Sequence, residues 1–271
     1  MNNCIYTAEL GINHNGSIYN VFELIDLAKK HNFDYVKFQK RDIESCYTKE
    51  YLDSPRESPW GKTQRNQKLR LELSIKNYKD IDVYCKTKGI GWYYSPWDLK
   101  SAREMIQFKT DYIKIAKACV NNKDLIDFYN NENNTPIVAS VNADNDENYH
   151  SYYNNLKYIL SCVSLYPSPI NYNGLLDIVT LNILYPQYYT GYSNHSPYWI
   201  HPVIASYLGA KMIEVHITLD KNMYGSDQKA SLDDNDLTNM MKFRYNPPTE
   251  KEINNFVKKE NEVLNKLRQT W

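Results

Sequence analysis

Ile213-Glu214-Val215-His216-Ile217 places three aliphatic side chains on one face of an extended chain and Glu214 with His216 on the other, because successive side chains of a strand point to opposite faces. A strand covered by helices on one side and by neighbouring strands' side chains on the other should read almost continuously apolar. Two ionisable groups on the inner face therefore need a reason, and the same arrangement recurs along the chain. In Tyr35-Val36-Lys37-Phe38-Gln39, Lys37 and Gln39 share a face opposite Val36 and Phe38. Ile113-Lys114-Ile115 repeats it with Lys114, Thr7-Ala8-Glu9 with Glu9, and Tyr192-Ser193-Asn194-His195 sets Ser193 and His195 together. Buried charges without partners are too costly to keep. Lysines, histidines and glutamates aimed inward from five strands must answer one another or a ligand.

Short β-branched and aromatic runs alternate with helical stretches from end to end, the pattern of strand-helix units around a parallel sheet. Eight strands are expected near Ile5 to Glu9, Tyr35 to Gln39, Ile90 to Ser95, Tyr112 to Ala116, Ile137 to Ser140, Tyr158 to Ser164, Tyr188 to Ser193 and Lys211 to Thr218. Helices are expected over Val21 to Lys30, behind the Asn15-Gly16-Ser17 start signal, and over Ile75 to Lys88, Leu99 to Phe108 and Trp199 to Leu208. Asn130 to Asn134 reads as a polar turn. From Glu252 onward, Ile253, Phe256, Val257, Val263, Leu264 and Leu267 form the apolar side of a closing helix over about 250–268. Eight units in 271 residues match a single-domain (β/α)8 TIM barrel, whose typical length is about 250 residues. A doubly wound open sheet is the alternative.

Thirty-two basic and 32 acidic side chains cancel, which argues against a nucleic-acid partner, since phosphates call for a basic excess on one face. No apolar run approaches the roughly 20 residues that span a bilayer, and the first residues lack the features of a secretion signal. The expectation is a cytoplasmic protein without a membrane partner. Cysteines 4, 46, 85, 119 and 162 show no metal-knuckle or redox spacing and read as reduced and mostly buried. The 25 tyrosines suggest no mechanism by themselves.

The inward set narrows the chemistry. His195 and His216, from neighbouring strands, can hold a divalent metal with open positions that polarises a carbonyl. Lys37 and Lys114, with Ser95, Ser140, Ser164 and Ser193 at strand ends, form a cradle for a phosphate or carboxylate. Glu9 is placed to move a proton. Together they point to an anionic phosphorylated substrate meeting an aldehyde or ketone.

Longer strings carry a resemblance. Ala8-Glu9-Leu10-Gly11-Ile12-Asn13-His14-Asn15-Gly16, Val36-Lys37-Phe38-Gln39, Tyr84-Cys85-Lys86-Thr87-Lys88-Gly89-Ile90 and Gly191-Tyr192-Ser193-Asn194-His195 occur in order. Leu208-Gly209-Ala210-Lys211-Met212-Ile213-Glu214-Val215-His216-Ile217-Thr218-Leu219-Asp220 follows, and then Gly225-Ser226-Asp227-Gln228-Lys229-Ala230-Ser231-Leu232. From residue 5 to about 242 the chain resembles the sialic acid synthase (N-acetylneuraminate synthase) family. That resemblance implies a transferase barrel that condenses phosphoenolpyruvate with an open-chain N-acylmannosamine or related amino sugar, giving a nine-carbon 2-keto sugar acid and phosphate. It implies Mn2+ or Mg2+ on His195 and His216. Lys37, Ser95, Lys114, Ser140, Ser164 and Ser193 would contact phosphoenolpyruvate, and Gln39, Tyr166, Glu214 and Asp227 the sugar. Glu9 would handle protons.

The chain departs from the family's pattern at four places. Lys117 stands where a phosphate-binding serine is usual; a lysine can bind the same anion as a point charge, or its longer chain can fill the pocket. The family's Ser-Thr-Gly-Met becomes Ser140-Val141-Asn142-Ala143, and its Ser-Asp-His becomes Ser193-Asn194-His195. Typical members continue into a C-terminal antifreeze-like domain that supplies an arginine to the partner subunit's sugar. The expectation here is a barrel without that domain, a homodimer by default, with a separate chain as the alternative source of the lid. Two other functions compete: a catalytically altered barrel that binds sugar or a partner, and a related phosphoenolpyruvate synthase using a different aldose.

Overall fold

The computed structural model describes residues 4–132, 134–141, 152–170 and 173–245, together with 258, 259 and 262. Its strands are β1 (Ile5–Gly11), β2 (Tyr35–Lys40), β3 (Pro55–Ser58), β4 (Gly61–Thr63), β5 (Gly91–Pro96), β6 (Ile113–Ile115), β7 (Ile137–Val141), β8 (Leu156–Cys162), β9 (Tyr189–Asn194) and β10 (Met212–His216). The helices are α1 (Ile18–Lys30), α2 (Ile43–Cys46), α3 (Lys49–Asp53), α4 (Gln64–Leu71), α5 (Ile75–Lys88), α6 (Leu99–Met105), α7 (Lys123–Glu132), α8 (Leu175–Leu184), α9 (Ile200–Tyr207) and α10 (Asp234–Tyr245). Eight parallel strands close a barrel in the order β1-β10-β9-β8-β7-β6-β5-β2, while β3 and β4 form a separate antiparallel hairpin. The barrel is the expected one, and the open sheet is excluded by closure of β1 on both β2 and β10.

The outward residues of the alternating strands, among them Val36, Phe38, Ile115, Ile213 and Val215, are fully shielded from solvent in one apolar layer with the buried faces of the helices. Local signals set the helix ends. Ser17 caps α1 by accepting the Asn20 N–H, one turn earlier than the expected start at Val21. Ser74 and Asn77 form a reciprocal capping box on α5, and Gly89 ends that helix in the left-handed conformation.

Inside the barrel the register sorts residues into layers. Towards the N-terminal ends of the strands, Tyr93, Tyr112, Val138, Tyr158, Leu160 and Met212 form their own buried cluster, with Ile5 and Tyr35 packed on it. The tyrosine rings meet edge to face, Tyr35 against Tyr93 and Tyr112 at 5.7 and 5.4 Å and Tyr112 against Tyr158 at 5.7 Å. Tyr93 donates its hydroxyl to Thr7 Oγ1 at 2.9 Å. Large rings thus fill the volume that aliphatic layers fill in most such barrels, which gives part of the tyrosine excess a structural use. Above this plug the interior turns polar: Glu9 pairs in register with His216 on one side and with Lys37 on the other, and Glu214 lies beside Ser193.

The β2-to-α5 connection is a long excursion containing α2, α3, the hairpin and α4, and the sequence reading assigned none of it. Asn130 is not in a turn but in α7, where its side chain bonds Tyr152 O and Asn154 N. The closing helix expected over about 250–268 lies outside the described residues apart from 258, 259 and 262. Among the described residues no helix is long and apolar enough to cross a membrane.

Candidate active site

A cavity of about 260 Å³ opens at the C-terminal ends of the barrel strands. Lys37, Gln39, Ser95, Lys114, Lys117, Ser140, Ser164, Tyr166, Ser193, His195, Glu214 and His216 all line it, so twelve of the fourteen expected site residues share one wall. Glu9 lies beneath it, shielded from solvent, and Asp227 lines an adjoining cavity of about 340 Å³ that shares Gln39, Trp97 and Tyr166 with the first. Gly11 lets these groups converge. Its φ is +49°, and a Cβ there would lie 3.3 Å from Glu9 Oε1, His216 Cε1 and Asp227 Oδ2, so a side chain would press on three polar groups at once.

Lys37 is the hinge of the charge arrangement. Its ammonium lies 3.0 Å from Glu9 Oε2 and 3.3 Å from Glu214 Oε1. The two carboxylates meet different surroundings. Glu9 is pushed up to about 7, chiefly by burial, which Lys37 only partly offsets and the charge on Glu214 reinforces. Burial works against Glu214 too, but the charges of Lys114 and Lys37 and the Ser193 hydroxyl, donated at 2.9 Å, hold it well below the usual carboxylate range. One acid is thus poised to exchange a proton near neutrality while its neighbour stays ionised. Gln39 fixes the first by donating from Nε2 to Glu9 Oε1 at 2.5 Å.

On the opposite wall Lys114 donates to Ser140 Oγ at 2.6 Å and to the Ile115 carbonyl at 3.2 Å. Burial and then Lys37 lower its pKa, with Glu214 opposing. Lys117 runs along the wall to the Cys162 carbonyl at 3.3 Å, leaving the cavity open. Three ammonium groups and four serines therefore surround one space, a setting suited to a phosphate with a carboxylate. Asn194, where an aspartate is usual, turns away from it. Its amide donates to the Ser196 carbonyl at 2.8 Å and its oxygen accepts from Tyr192 Oη and the Ser196 N–H. A carboxylate could not make the first of these bonds.

The two imidazoles stand 5.3 Å apart, centroid to centroid. His195 Nδ1–H donates to the Val163 carbonyl at 2.6 Å, which in the neutral ring leaves the lone pair on Nε2. That nitrogen meets the Tyr166 hydroxyl at 2.8 Å, and the two rings stack. His216 is held down to about 4 by burial first, against the pull of Asp227 at 3.8 Å, and its buried Nδ1 has no hydrogen-bond partner. Burial opposes charge on His195 too, but Cys162, the Val163 carbonyl and Glu214 together carry it above the usual imidazole value; His216 alone is held neutral, and His195 would ligate a metal only after giving up its Nε2 proton. Among the described residues no group of three or more His, Cys, Asp or Glu is arranged to hold an ion. A divalent ion would fit as a two-imidazole site with its other positions open to substrate and water.

Sequence reasoning missed several wall residues. Cys162 lies two residues before Ser164 on the same face, so the period of two could have found it; its Sγ is 4.0 Å from His195 Nδ1. Trp97 and Arg41 follow β5 and β2 directly, and Arg41 stacks over the Trp97 ring at 3.9 Å while bonding Gln39 Oε1. Only their tertiary pairing brings them to the site.

Comparison with known proteins follows the same lines. A model of the NeuB family matches residues 24–247. The N-acetylneuraminate-9-phosphate synthase of Mus musculus is 31% identical over 247 residues, covering 88% of this chain and 68% of that one. The N,N'-diacetyllegionaminic acid synthase of Campylobacter jejuni is 29% identical over 249 residues, covering 88% and 74%. Among solved structures, the N-acetylneuraminic acid (sialic acid) synthetase of Leptospira borgpetersenii superposes with a TM-score of 0.77 at 23% identity over 98% of this chain and 93% of that one. At that identity it bears on the fold alone.

Proposed function

Because the chain belongs to the NeuB family, we propose that its barrel mouth condenses phosphoenolpyruvate with the aldehyde of an open-chain N-acyl amino sugar, producing a nine-carbon 2-keto sugar acid and phosphate. The observation that carries the proposal is the Glu9–Lys37–Glu214 layer set between the His195 and His216 imidazoles and a wall of lysines and serines.

Lys114, Lys117, Ser140 and Ser164 receive the phosphate and carboxylate of phosphoenolpyruvate, and their fixed positive charge stabilises the phosphate as it departs. Gln39, Tyr166, Glu214 and Asp227 orient the sugar on the other side. His195 and His216 would hold a divalent ion, Mn2+ or Mg2+, whose chemical contribution is to withdraw electrons from the sugar carbonyl. Glu9 takes the proton from the water that adds to the carbon bearing the phosphate ester, and its raised pKa suits that exchange. Lys37 keeps Glu214 ionised while this occurs and holds Glu9 Oε2 in place. Enclosing both substrates in one cavity supplies the orientation on which a bimolecular carbon–carbon bond depends.

Phosphate release measured with phosphoenolpyruvate, Mn2+ and a panel of mannosamine-type and bacillosamine-type sugars tests the proposal. Turnover is expected with at least one sugar, lost on chelation and lowered by about a thousandfold or more in His216→Ala. A folded protein that releases no phosphate with any member of the panel would overturn it.

A further inference from the structure

The helices around the barrel do not present the same outer surface. α1, α5, α6, α7 and α10 expose charged residues such as Glu23, Lys79, Arg103, Asp127 and Lys242. α8 and α9 expose apolar ones. On α8, Leu176, Val179 and Ile183 stand at i, i+3 and i+7, on the side opposite the buried Ile178 and Leu181. On α9, Ile200, Ile204 and Tyr207 stand at i, i+4 and i+7. Leu176 is 77% exposed, Ile183 72% and Tyr207 55%. The two helices follow the neighbouring strands β8 and β9 and touch each other, so the rows form one face. Asp177 is the one Asp, Glu, Lys or Arg in either helix, and it lies off both rows. An uncharged apolar face of this kind marks a docking surface.

The chain carries a matching element. After α10 the sequence runs Asn246-Pro247-Pro248-Thr249-Glu250-Lys251-Glu252, then sets Ile253, Phe256, Val257, Val263, Leu264 and Leu267 along one side of a helical period. Thr249 and Glu252 have capping-box spacing at its start. Lys258, Lys259 and Glu262 are helical and exposed, and at 3.6 residues per turn Lys258 and Glu262 fall opposite the apolar row. Such a row needs an apolar partner, which the charged outer faces do not offer. The starting point also agrees. α10 packs on α9, with the Phe243 and Trp199 rings stacked at 5.6 Å, so the segment sets out one helix away from the face. Residues 246–252 can extend over about 23 Å, while packed helix axes lie about 8 to 10 Å apart. Tethering holds the segment at an effective concentration of about a millimolar, above that of a second copy in dilute solution.

We propose that residues 250–268 dock as an amphipathic helix on the α8/α9 face, with the row from Ile253 to Leu267 set against Leu176, Val179, Ile183, Ile200, Ile204 and Tyr207. The segment is then a brace across two strand-helix units that serve the mouth, since β8 leads to Ser164 and Tyr166 and β9 to His195.

The test uses the full chain with the photoreactive residue p-benzoylphenylalanine in place of Ile183. Irradiation is expected to join position 183 to a peptide from residues 250–268, in a product that migrates as one chain. A product of two chains marks a second copy as the occupant and overturns the inference; so does a chain with no link to that segment. Hydrogen exchange gives the reciprocal measurement. Ile183→Glu is expected to speed amide exchange over residues 253–267, and Phe256→Glu to speed it in α8 and α9, each by about tenfold or more. The barrel strands should be unchanged in both, because Ile183 is exposed and its replacement leaves the core intact. Exchange over 253–267 that is the same in Ile183→Glu as in the parent overturns the inference.

Discussion

Glu9, Lys37 and Glu214 form a buried triad in which one ammonium serves two carboxylates. Replacing Lys37 with Met leaves both acids buried without that cation, and breaking a buried pair from one side costs about 3 to 5 kcal/mol. Urea unfolding should show that loss, and an unchanged midpoint would mean that the triad is not formed. Glu9→Gln keeps the shape and removes the base, so turnover should fall by about 10² to 10⁴, with some loss of stability because its amide nitrogen cannot accept from Lys37 or Gln39 as the Glu9 oxygen it replaces does. The base form of Glu9 grows as pH rises through about 7; kcat/KM of the parent enzyme is therefore expected to rise from pH 6 to 8 and then level off. Lys117→Ser tests the third lysine of the wall. If Lys117 binds the phosphate of phosphoenolpyruvate, KM for that substrate rises by about tenfold, whereas a drop in KM would mark Lys117 as an obstruction. Most of these residues were legible because a charge on the inner face of an otherwise aliphatic strand has no structural use. Arg41 was not: it follows a strand end, where a charged residue is ordinary, and only packing on Trp97 from another strand turns it towards the site.

At the scale of elements, the eight barrel strands were legible to within a few residues, because apolar outer faces and polar inner faces give each a period of two. The excursion between β2 and α5 was not. Its helices α2 and α3 have four and five residues, too short to show a helical period, and its hairpin alternates exposed Pro55, Glu57 and Lys62 with partly covered Arg56, Ser58, Gly61 and Thr63, which gives no apolar face for a period of two to mark. It is pinned to the barrel at Gly16, whose φ is +71° and where a Cβ would lie 2.0 Å from the Arg70 carbonyl at the end of α4. Gly16→Ala must therefore push α4 away or strain the β1-to-α1 turn. The expected result is a loss of several kcal/mol together with faster proteolysis within residues 41–74, read by limited digestion. Digestion unchanged from the parent would show that α4 does not rest on this turn.

Across the whole molecule, the barrel divides into a tyrosine-packed lower half and a charged mouth, so its interior ring packing lies below the catalytic groups. A pH effect on stability arises near the mouth. His14 is buried, accepts the Gly16 N–H on Nδ1 at 3.0 Å, and is lowered from 6.5 to about 4 by burial. A depressed histidine contributes stability that is present above the unfolded value and is lost as pH falls through the folded one. Acidification from 6.5 to 4 should thus remove up to about 3 kcal/mol at this residue. Thermal melts across that range should show a shallower fall in His14→Asn than in the parent, and parallel slopes would contradict the assignment. If this mouth joins phosphoenolpyruvate to an amino-sugar aldehyde with water entering at the carbon that loses phosphate, the bridging oxygen leaves with the phosphate. Phosphoenolpyruvate labelled with ¹⁸O in its bridging oxygen, incubated with the protein, Mn2+ and the acceptor panel, tests this most directly by mass spectrometry. The label is expected in the released phosphate, beside an unlabelled nine-carbon keto acid; label retained in the acid, or no condensation product with any acceptor, would overturn this mechanism.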